Sequence, residues 1–433
     1  MLSGEIMKSV CILGLGYIGL PTACMLASNG FKVYGVDVNT QIVDTINKGK
    51  IHIEEPGLQA LVKTIIESGN LKAYTTPQEA DAYIIAVPTP VKNGKKACLD
   101  YIEAAANSIV NVLKPGNLVI LESTSPPETT KNFLVQILEK SGLKIGEELF
   151  VAYCPEKVLP GKIVYELVNN KRIIGGIDEK SAQMAKEIYS SFVEGEIYLT
   201  DTVTAEMVKI MENTYRDVNI ALANELAKIS HKMGINAWDV INLANLHPRV
   251  NLHNPGPGVG GHCISVDPWF IVEKNPVLAQ LISQARNTND SMPEFTYNLI
   301  LQQTKNIPNA KITILGLTYK PDIDDIRESP SIEIAKMIQN NPKLRLSIYD
   351  PHVKCFNYKL SSFEETFKDS DCILLAVNHT EFNSIDPSQI AKLVKTKIII
   401  DTRNSLNRQL WEENGFKYVL LGQGHENFAL TED

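Results

Sequence analysis

The chain has 433 residues, 44% of them apolar and 21% charged, an ordinary globular composition with length for two or three domains. A formal net charge of −8 without a basic run argues against nucleic acid or an anionic membrane as a partner, and no apolar stretch approaches the ~18 residues that span a bilayer. Seven scattered cysteines without a CxxC pair argue against a disulfide framework or zinc ribbon; with a first stretch, MLSGEIMKSV, too short and polar for a signal peptide, they predict a cytoplasmic protein.

Lys8 to Leu13 (KSVCIL) is a β-branched apolar run that predicts a strand. It leads into Gly14-Leu15-Gly16-Tyr17-Ile18-Gly19 and a helix, LPTACMLASNG, closed by Gly30 in the position of a C′ glycine. A second strand, KVYGVDV, reaches Asp37, 23 residues after Gly14. This is the context a dinucleotide fingerprint requires: glycines for the tight turn and for approach of a pyrophosphate to the helix N-terminus. Asp37 would accept hydrogen bonds from a ribose 2′-hydroxyl and repel a 2′-phosphate, which favours NAD over NADP. Two further apolar runs, AYIIAVPTP (82–90) and NLVILESTSPP (117–127), read as buried parallel strands, so Thr89 and Thr124 stand at carboxyl ends where such sheets bind ligands. A helical pattern over 130–142 leads to the strand FVAYCPE (150–156), with Glu156 at its end, and RIIGGID and EIYLTD supply the last strands.

From Thr202 to Met233 no glycine or proline interrupts a helical pattern; Asp201 or Thr202 can cap it and Gly234 stops it. About 30 residues at ~1.5 Å each make a helix of roughly 45 Å, long enough to be a spine between domains or subunits. Lys209, Asn213 and Arg216 share one face, and apolar Met207, Val208, Ile210, Met211 and Tyr215 on the same turns predict a partly desolvated lysine, able to take a proton or donate to an oxyanion. Helix continues to about Ala244. The stretch 247–269, HPRVNLHNPGPGVGGHCISVDPW, is then too rich in glycine and proline for a helix or strand interior. Cys263 follows Gly260-Gly261, glycines that would let backbone and ligand approach the sulfur. Most cysteines are inert, but this placement nominates Cys263 as a nucleophile. Asp267, directly before Pro268, reads as the N-cap of a helix. His262 has no second ligand pair at a suitable spacing, so no metal is expected.

Beyond about Asn306 the pattern restarts. KITILGLTYK (311–320), RLSIYD (345–350), DCILLAV (371–377), KIIID (397–401) and YVLLG (418–422) alternate with helical segments and predict a second doubly wound domain, without GxGxxG. Ser329-Pro330 starts a helix, while Lys320, Arg327 and Arg403 lie at strand ends, where cations suit a diphosphate. The expected fold is α/β: two Rossmann-like doubly wound parallel-sheet domains, 1–200 and 306–433, joined by a central long-helix segment, 201–305, that carries the cysteine loop.

In this order GLGYIGLPTA, VPTP, EST, CPEKVLPGK, EMVKIMENTYRDVNIALANE, GGHCISVDP and LGLTYKPDIDDIRESPS resemble the UDP-glucose/GDP-mannose dehydrogenase family over essentially the whole chain. HPRVNLHNPGPGVGGHC and CPEKVLPG are similar to its branch acting on UDP-N-acetylhexosamines. UDP-glucose enzymes usually carry a second acid four residues after the one matching Glu156; here that position is Pro160. The resemblance implies an NAD domain, a central dimerisation segment and a C-terminal nucleotide-sugar domain in a homodimer. It implies four-electron oxidation of the C6 hydroxyl of UDP-N-acetyl-D-mannosamine, with UDP-N-acetyl-D-glucosamine as the alternative sugar. Cys263 would form the thiohemiacetal and thioester, Lys209 would move protons, Asn213 would hold the oxyanion, Asp267 with Thr124 would transfer protons, and Glu156 would assist hydrolysis. The resemblance assigns Gly14, Gly16, Tyr17, Ile18, Gly19, Asp37, Thr89, Thr124 and Arg327 to NAD. It assigns Lys157, Val158, Lys209, Asn213, Arg216, His247, Arg249, Gly260, Tyr319, Lys320 and Arg403 to the nucleotide sugar, with His247 and Arg249 reaching the neighbouring subunit. Lys157 stands where arginine is common in this branch. Two other readings compete. A two-electron β-hydroxyacid-type dehydrogenase would need neither Cys263 nor the C-terminal domain, and a non-catalytic NAD or nucleotide-sugar sensor would need no nucleophile.

Overall fold

The computed structural model describes residues 7–92, 95–159, 161–353 and 360–424; Pro160 and the ends of the two outer domain ranges lie outside the described residues. Two compact units emerge, Met1–Glu212 with Glu273–Asn275, and Asn213–Val272 with Pro276–Asp433. The division falls inside the long helix, Thr202–Met233.

In the first unit the strands are β1 (Ser9–Leu13), β2 (Lys32–Val36), β3 (Leu71–Tyr74), β4 (Ala82–Ile85), a small hairpin of β5 (Val91–Lys92) and β6 (Lys96–Ala97), β7 (Leu118–Leu121), β8 (Phe150–Tyr153), β9 (Arg172–Gly176) and β10 (Ile197–Asp201). Eight of them form one sheet in the order β10-β9-β8-β7-β4-β1-β2-β3. From β3 to β8 the strands are parallel and follow the dinucleotide-binding order 3-2-1-4-5-6. β9 runs antiparallel to β8 and carries β10 parallel to itself. The central strands β1, β4, β7 and β8 read as apolar runs because both faces are covered. Val10, Ile12, Ala82 and Ile84 face one core, and Cys11, Leu13, Tyr83 and Ile85 the other. β3 and the two helices before it, Thr40–Asn47 and Leu58–Ser68, were not among the predicted elements, because LKAY is short and half polar.

In the second unit β11 (Ala310–Leu315), β12 (Leu344–Tyr349), β13 (Cys372–Leu375), β14 (Ile398–Asp401) and β15 (Lys417–Leu420) form a sheet in the order β12-β11-β13-β14-β15, parallel throughout. This is the other common doubly wound order, 2-1-3-4-5. Its two faces are closed by Ile312, Ile314, Leu374 and Ile400 on one side and by Leu315, Ile373, Leu375, Trp238 and Trp411 on the other.

The long helix begins and ends where expected. The Asp201 carboxylate takes the Thr204 amide at 2.9 Å and its hydroxyl at 2.6 Å, and Gly234 ends the helix at φ +75°. Its apolar residues are not all packed, however. Met211 and Tyr215, expected to shield Lys209, are 42% and 58% exposed, and with Leu222, Ile229 and Met233 they make an open stripe along one side. The predicted helix over 130–142 is irregular: a π-helical turn Thr129–Leu134, one α-turn Val135–Leu138 and a 3₁₀ turn Glu139–Ser141. Its start is held by Glu206 on the long helix, whose buried carboxylate takes the amides of Glu128 and Thr130 at 2.6 and 2.7 Å. Among the described residues no helix is long and apolar enough to cross a membrane.

Candidate active site

At the carboxyl end of β1 each fingerprint glycine has its own reason. Gly14 sits at φ +96°, and a Cβ there would lie 2.5 Å from the Ala86 carbonyl oxygen. A Cβ on Gly19 would lie 1.8 Å from the Gly14 carbonyl oxygen, so this glycine lets the helix Gly19–Ser28 sit against the turn. Around Gly16 nothing lies within 4 Å of a Cβ position. The protein does not require that glycine for its own packing, which fits a residue kept small for a pyrophosphate. Tyr17 is exposed and Ile18 half-buried at the start of the helix. Asp37 Oδ2 accepts the Leu15 amide at 3.1 Å and Oδ1 the Asn39 amide at 2.9 Å, which ties the acid to the glycine turn and leaves lone pairs for a ribose. Across the sheet, Ser123 Oγ accepts the Val87 amide at 3.0 Å and donates to the Val87 carbonyl at 2.7 Å, locking together the loops that carry Thr89 and Thr124. Thr89 Oγ1 is enclosed and has no hydrogen-bond partner among the described residues, an orphan that a bound polar group would satisfy. These features fit a dinucleotide. Asp37→Asn keeps an acceptor for Leu15 but removes the charge, and is expected to raise the NADP-to-NAD ratio of kcat/KM by at least about tenfold, measured with saturating sugar substrate.

Also in the first unit, Lys209 is 9% exposed and forms no hydrogen bond or ion pair with any described residue. A lysine buried to this extent, with its ammonium uncommitted among the described residues, can offer that ammonium to a bound ligand. Glu156 is committed differently. It pairs with Arg172 at 2.6 Å and accepts the Lys157 amide at 2.7 Å. Lys157 pairs with Glu212, and Val158 packs on the core. Arg172 is itself buried over the Tyr189 ring, whose hydroxyl donates to Glu122 at 2.6 Å. Sequence reasoning did not single out Glu122 or Arg172. The signal was there in EST and KRIIGG, but an acid at a strand end says nothing of its burial. Burial pushes Glu122 up to about 7, only partly opposed by Arg172, so the neutral acid leaves Arg172 to Glu156. The unfolded carboxyl titrates near 4.5, so the folded unit holds a proton that the unfolded chain has released above that pH. The stability this group contributes is therefore full below about 4.5 and is lost as pH rises through about 7. Glu122→Gln is expected to flatten the decline, measured by calorimetric unfolding at a series of pH values across that window.

In the second unit, Cys263 is half-buried at the head of a helical stretch. Its carbonyl accepts the Val266 amide at 3.0 Å and the Asp267 amide at 2.8 Å, and the helix Asp267–Lys274 follows. Asp267 is thus not the N-cap that its place before Pro268 suggested: it is the first helical residue, and its carboxylate takes the Asn213 amide. Asn213 Oδ1 in turn accepts from Arg216, so Arg216, Asn213 and Asp267 form one chain of hydrogen bonds. The glycines before Cys263 are required by this unit's own packing. Cβ atoms on Gly260 and Gly261 would lie 2.8 Å from Tyr319, and one on Gly256 would lie 2.7 Å from Arg403. On the side where a Cβ would stand, the space is filled by this unit's own side chains. Further support comes from the long helix: the Asn224 amide donates to Asn289 at 2.8 Å while its oxygen accepts the Gly256 amide at 2.9 Å.

The loop after β11 lies against the cysteine loop. Gly261 donates to the Arg327 carbonyl at 3.0 Å, and Arg327 grips Asp325 through Nε and Nη2. Tyr319 is pushed up to about 12 by burial and by the charges of Asp325 and Cys263. Lys320 lies over the Tyr319 ring at 5.6 Å, and Arg403 donates from Nε to the Ala376 carbonyl at 3.0 Å. Cys263, Gly260, Tyr319, Lys320, Arg327 and Arg403 thus belong to one unit; Arg327 does not belong to the unit with the glycine turn. His247 and Arg249 are exposed on the loop after the helix Ala237–Ala244.

A dinucleotide turn with an acid on the second strand, and a separate doubly wound sheet with cations at its strand ends, define the class of an NAD-dependent dehydrogenase. The comparisons place it within that class. Residues 8–193 match the NAD binding domain of the UDP-glucose/GDP-mannose dehydrogenase family, 203–291 its central domain and 313–408 its UDP binding domain. The chain belongs to this family. It is 53% identical to UDP-N-acetyl-D-mannosamine dehydrogenase of Methanococcus aeolicus, with 96% of each chain covered. To NDP-N-acetyl-D-galactosaminuronic acid dehydrogenase of Ralstonia solanacearum it is 45% identical, over 92% of this chain and 96% of the relative. The structure of UDP-D-ManNAc dehydrogenase from Pyrococcus horikoshii superposes with a TM-score of 0.90 at 42% identity, covering 96% of this chain and 100% of that one.

Proposed function

We propose that the chain is an NAD-dependent UDP-N-acetyl-D-mannosamine 6-dehydrogenase that oxidises the C6 hydroxyl to a carboxylate through Cys263. The observation that carries this reading is the half-buried thiol at the head of a helix in a chain of this family. A two-electron dehydrogenase or a sensor has no use for it, whereas a four-electron oxidation does. NAD, held by Gly14, Gly16, Tyr17, Ile18, Gly19, Asp37, Thr89 and Thr124 with Arg327, is the hydride acceptor in both oxidations. The alcohol loses a proton to Lys209 as it becomes an aldehyde. The Cys263 sulfur bonds to C6, giving a thiohemiacetal whose oxyanion the Asn213 amide and Lys209 stabilise. Loss of the second hydride leaves a thioester. Water adds to it, with Asp267 taking the proton and Glu156 assisting, and the C–S bond breaks to release the uronate and the thiol. Lys157, Val158, Arg216, Gly260, Tyr319, Lys320 and Arg403 hold the nucleotide sugar.

The sugar rests on the names of the most similar relatives, at about 53% identity. A homodimer is supported by the open apolar stripe Met211, Tyr215, Leu222, Ile229 and Met233, in which His247 and Arg249 serve the partner's site. No disulfide joins the six described cysteines, which suits a reducing cytoplasm. The test is NADH formed per sugar consumed, with UDP-N-acetylmannosamine and UDP-N-acetylglucosamine offered separately. Two NADH per mannosamine sugar, at a kcat/KM at least about tenfold above the glucosamine sugar, is expected. One NADH per turnover would overturn the thioester route, and preference for the glucosamine epimer would overturn the sugar.

A further inference from the structure

Four residues far apart in the chain meet above the second sheet. Asp322 follows β11, His352 follows β12, and His379 and Glu381 follow β13, so all stand at the carboxyl ends of the adjacent strands β12-β11-β13. There the strand order reverses, the place where doubly wound sheets take ligands. One donor atom from each residue lies within 4.8 Å of the others. His352 Nε2 is 3.3 Å from Glu381 Oε1 and 3.9 Å from Asp322 Oδ1. Around a metal with bonds of roughly 2.0–2.1 Å, tetrahedral ligand atoms stand about 3.3–3.4 Å apart, so His352 and Glu381 already stand at this spacing and His352 and Asp322 need to close by about half an ångström.

Hydrogen bonding inside the cluster separates ligands from supports. His352 Nε2 is enclosed and has no hydrogen-bond partner among the described residues. No described residue donates a hydrogen bond to the Glu381 carboxylate either, although it is half exposed. His379, by contrast, is fully committed. Its Nδ1 accepts the Asp322 amide at 2.9 Å, so the ring proton sits on Nε2 and points to Asp350 Oδ2 at 3.1 Å. Asp322 accepts the Thr380 amide and hydroxyl at 2.8 and 2.7 Å, which fixes it beside Glu381 and leaves further lone pairs.

We propose that His352, Asp322 and Glu381 bind a divalent transition-metal ion of the Zn²⁺ class, with water in the remaining position and His379 holding Asp322 from behind. Imidazole and carboxylate donors with an open position suit such an ion. The ion clips together three strand-end loops, one of which carries Tyr319, Lys320 and Arg327.

The experiment uses the full chain, stripped with a chelator and desalted, then titrated with Co²⁺ while visible absorbance is recorded. Zn²⁺ competition gives the affinity of the native-class ion. One Co²⁺ per chain is expected, with d–d bands, no thiolate charge-transfer band, and a higher Tm on binding. His352→Ala and Glu381→Gln are each expected to weaken binding at least about tenfold, while Cys263→Ser leaves it unchanged. Glu381→Gln, on a half-exposed side chain, keeps the test valid if His352→Ala fails to fold. No Co²⁺ bound at millimolar concentration, binding indifferent to Glu381→Gln, or a thiolate band lost in Cys263→Ser would each overturn the proposal.

Discussion

Cys263→Ala is expected to reduce steady-state NADH formation by about 10⁴-fold or more while leaving NAD and sugar-nucleotide affinities within about threefold of wild type. The side chain is half-buried at the head of a helix and its sulfur is no part of either sheet's core, so truncation removes a reacting atom without opening a cavity in the packing. The variant retains Lys209, Asn213 and the glycine turn, which leaves the first oxidation chemically accessible. The informative readout is therefore a rapid-mixing trace: at most one NADH per chain, followed by no turnover. Aldehyde retained on the chain after the burst, and trapped by hydrazine on denaturation, would agree with this. Full turnover at two NADH per sugar in the variant would mean that the acid forms without a thioester.

Arg286→Met is expected to produce the largest loss of stability. Arg286 is 1% exposed and pairs with Asp217, which is fully buried, and with Asp290. Burial pushes the Asp217 carboxyl up, and only Arg286 and Asn289 oppose this. Removing the guanidinium leaves a carboxylate enclosed without its cation, which costs about 3–5 kcal/mol. The consequence reaches further than the pair. Asn289 donates to Asp217 at 2.8 Å and accepts from Asn224, whose oxygen holds the Gly256 amide, so the network runs from the long helix to the cysteine loop. The three tryptophans, Trp238, Trp269 and Trp411, all lie in the second unit, so denaturant unfolding followed by tryptophan fluorescence reads this unit alone. An earlier midpoint is expected for Arg286→Met, partly restored in the double variant Arg286→Met/Asp217→Leu, where the orphaned charge is gone. No midpoint change in the single variant would show that the network is not what holds the long helix to the loop.

Local chemistry explains why so much of this protein was legible beforehand. Both sheets were readable because strands covered on two faces must be apolar at every position, as VCIL and CILLAV are. The helix limits at Asp201 and Gly234 followed from capping and left-handed backbone, properties of single residues. The glycine turn and Asp37 were legible because backbone geometry dictates both composition and spacing. Other features were not encoded locally. Met211 and Tyr215 have the periodicity of packed residues, yet what covers a helix face is decided by neighbours remote in sequence. Asp267 has the local signature of a cap, but that its carboxylate takes the Asn213 amide is set by a partner remote in sequence. That Gly260 and Gly261 must stay small for Tyr319 is likewise set by a residue remote in sequence.

Sequence by itself therefore determined the α/β class, the two doubly wound sheets, the dinucleotide turn and the nomination of Cys263, because each depends on residue periodicity or on a short run of backbone. Tertiary structure alone decided which charges are buried together, Glu122 with Arg172 and Glu156 and Asp217 with Arg286, and that His352 meets Asp322 and Glu381 above the second sheet. Those groups lie on separate strand ends and helices, and only the closing of parallel sheets by long crossover connections brings them within a few ångströms.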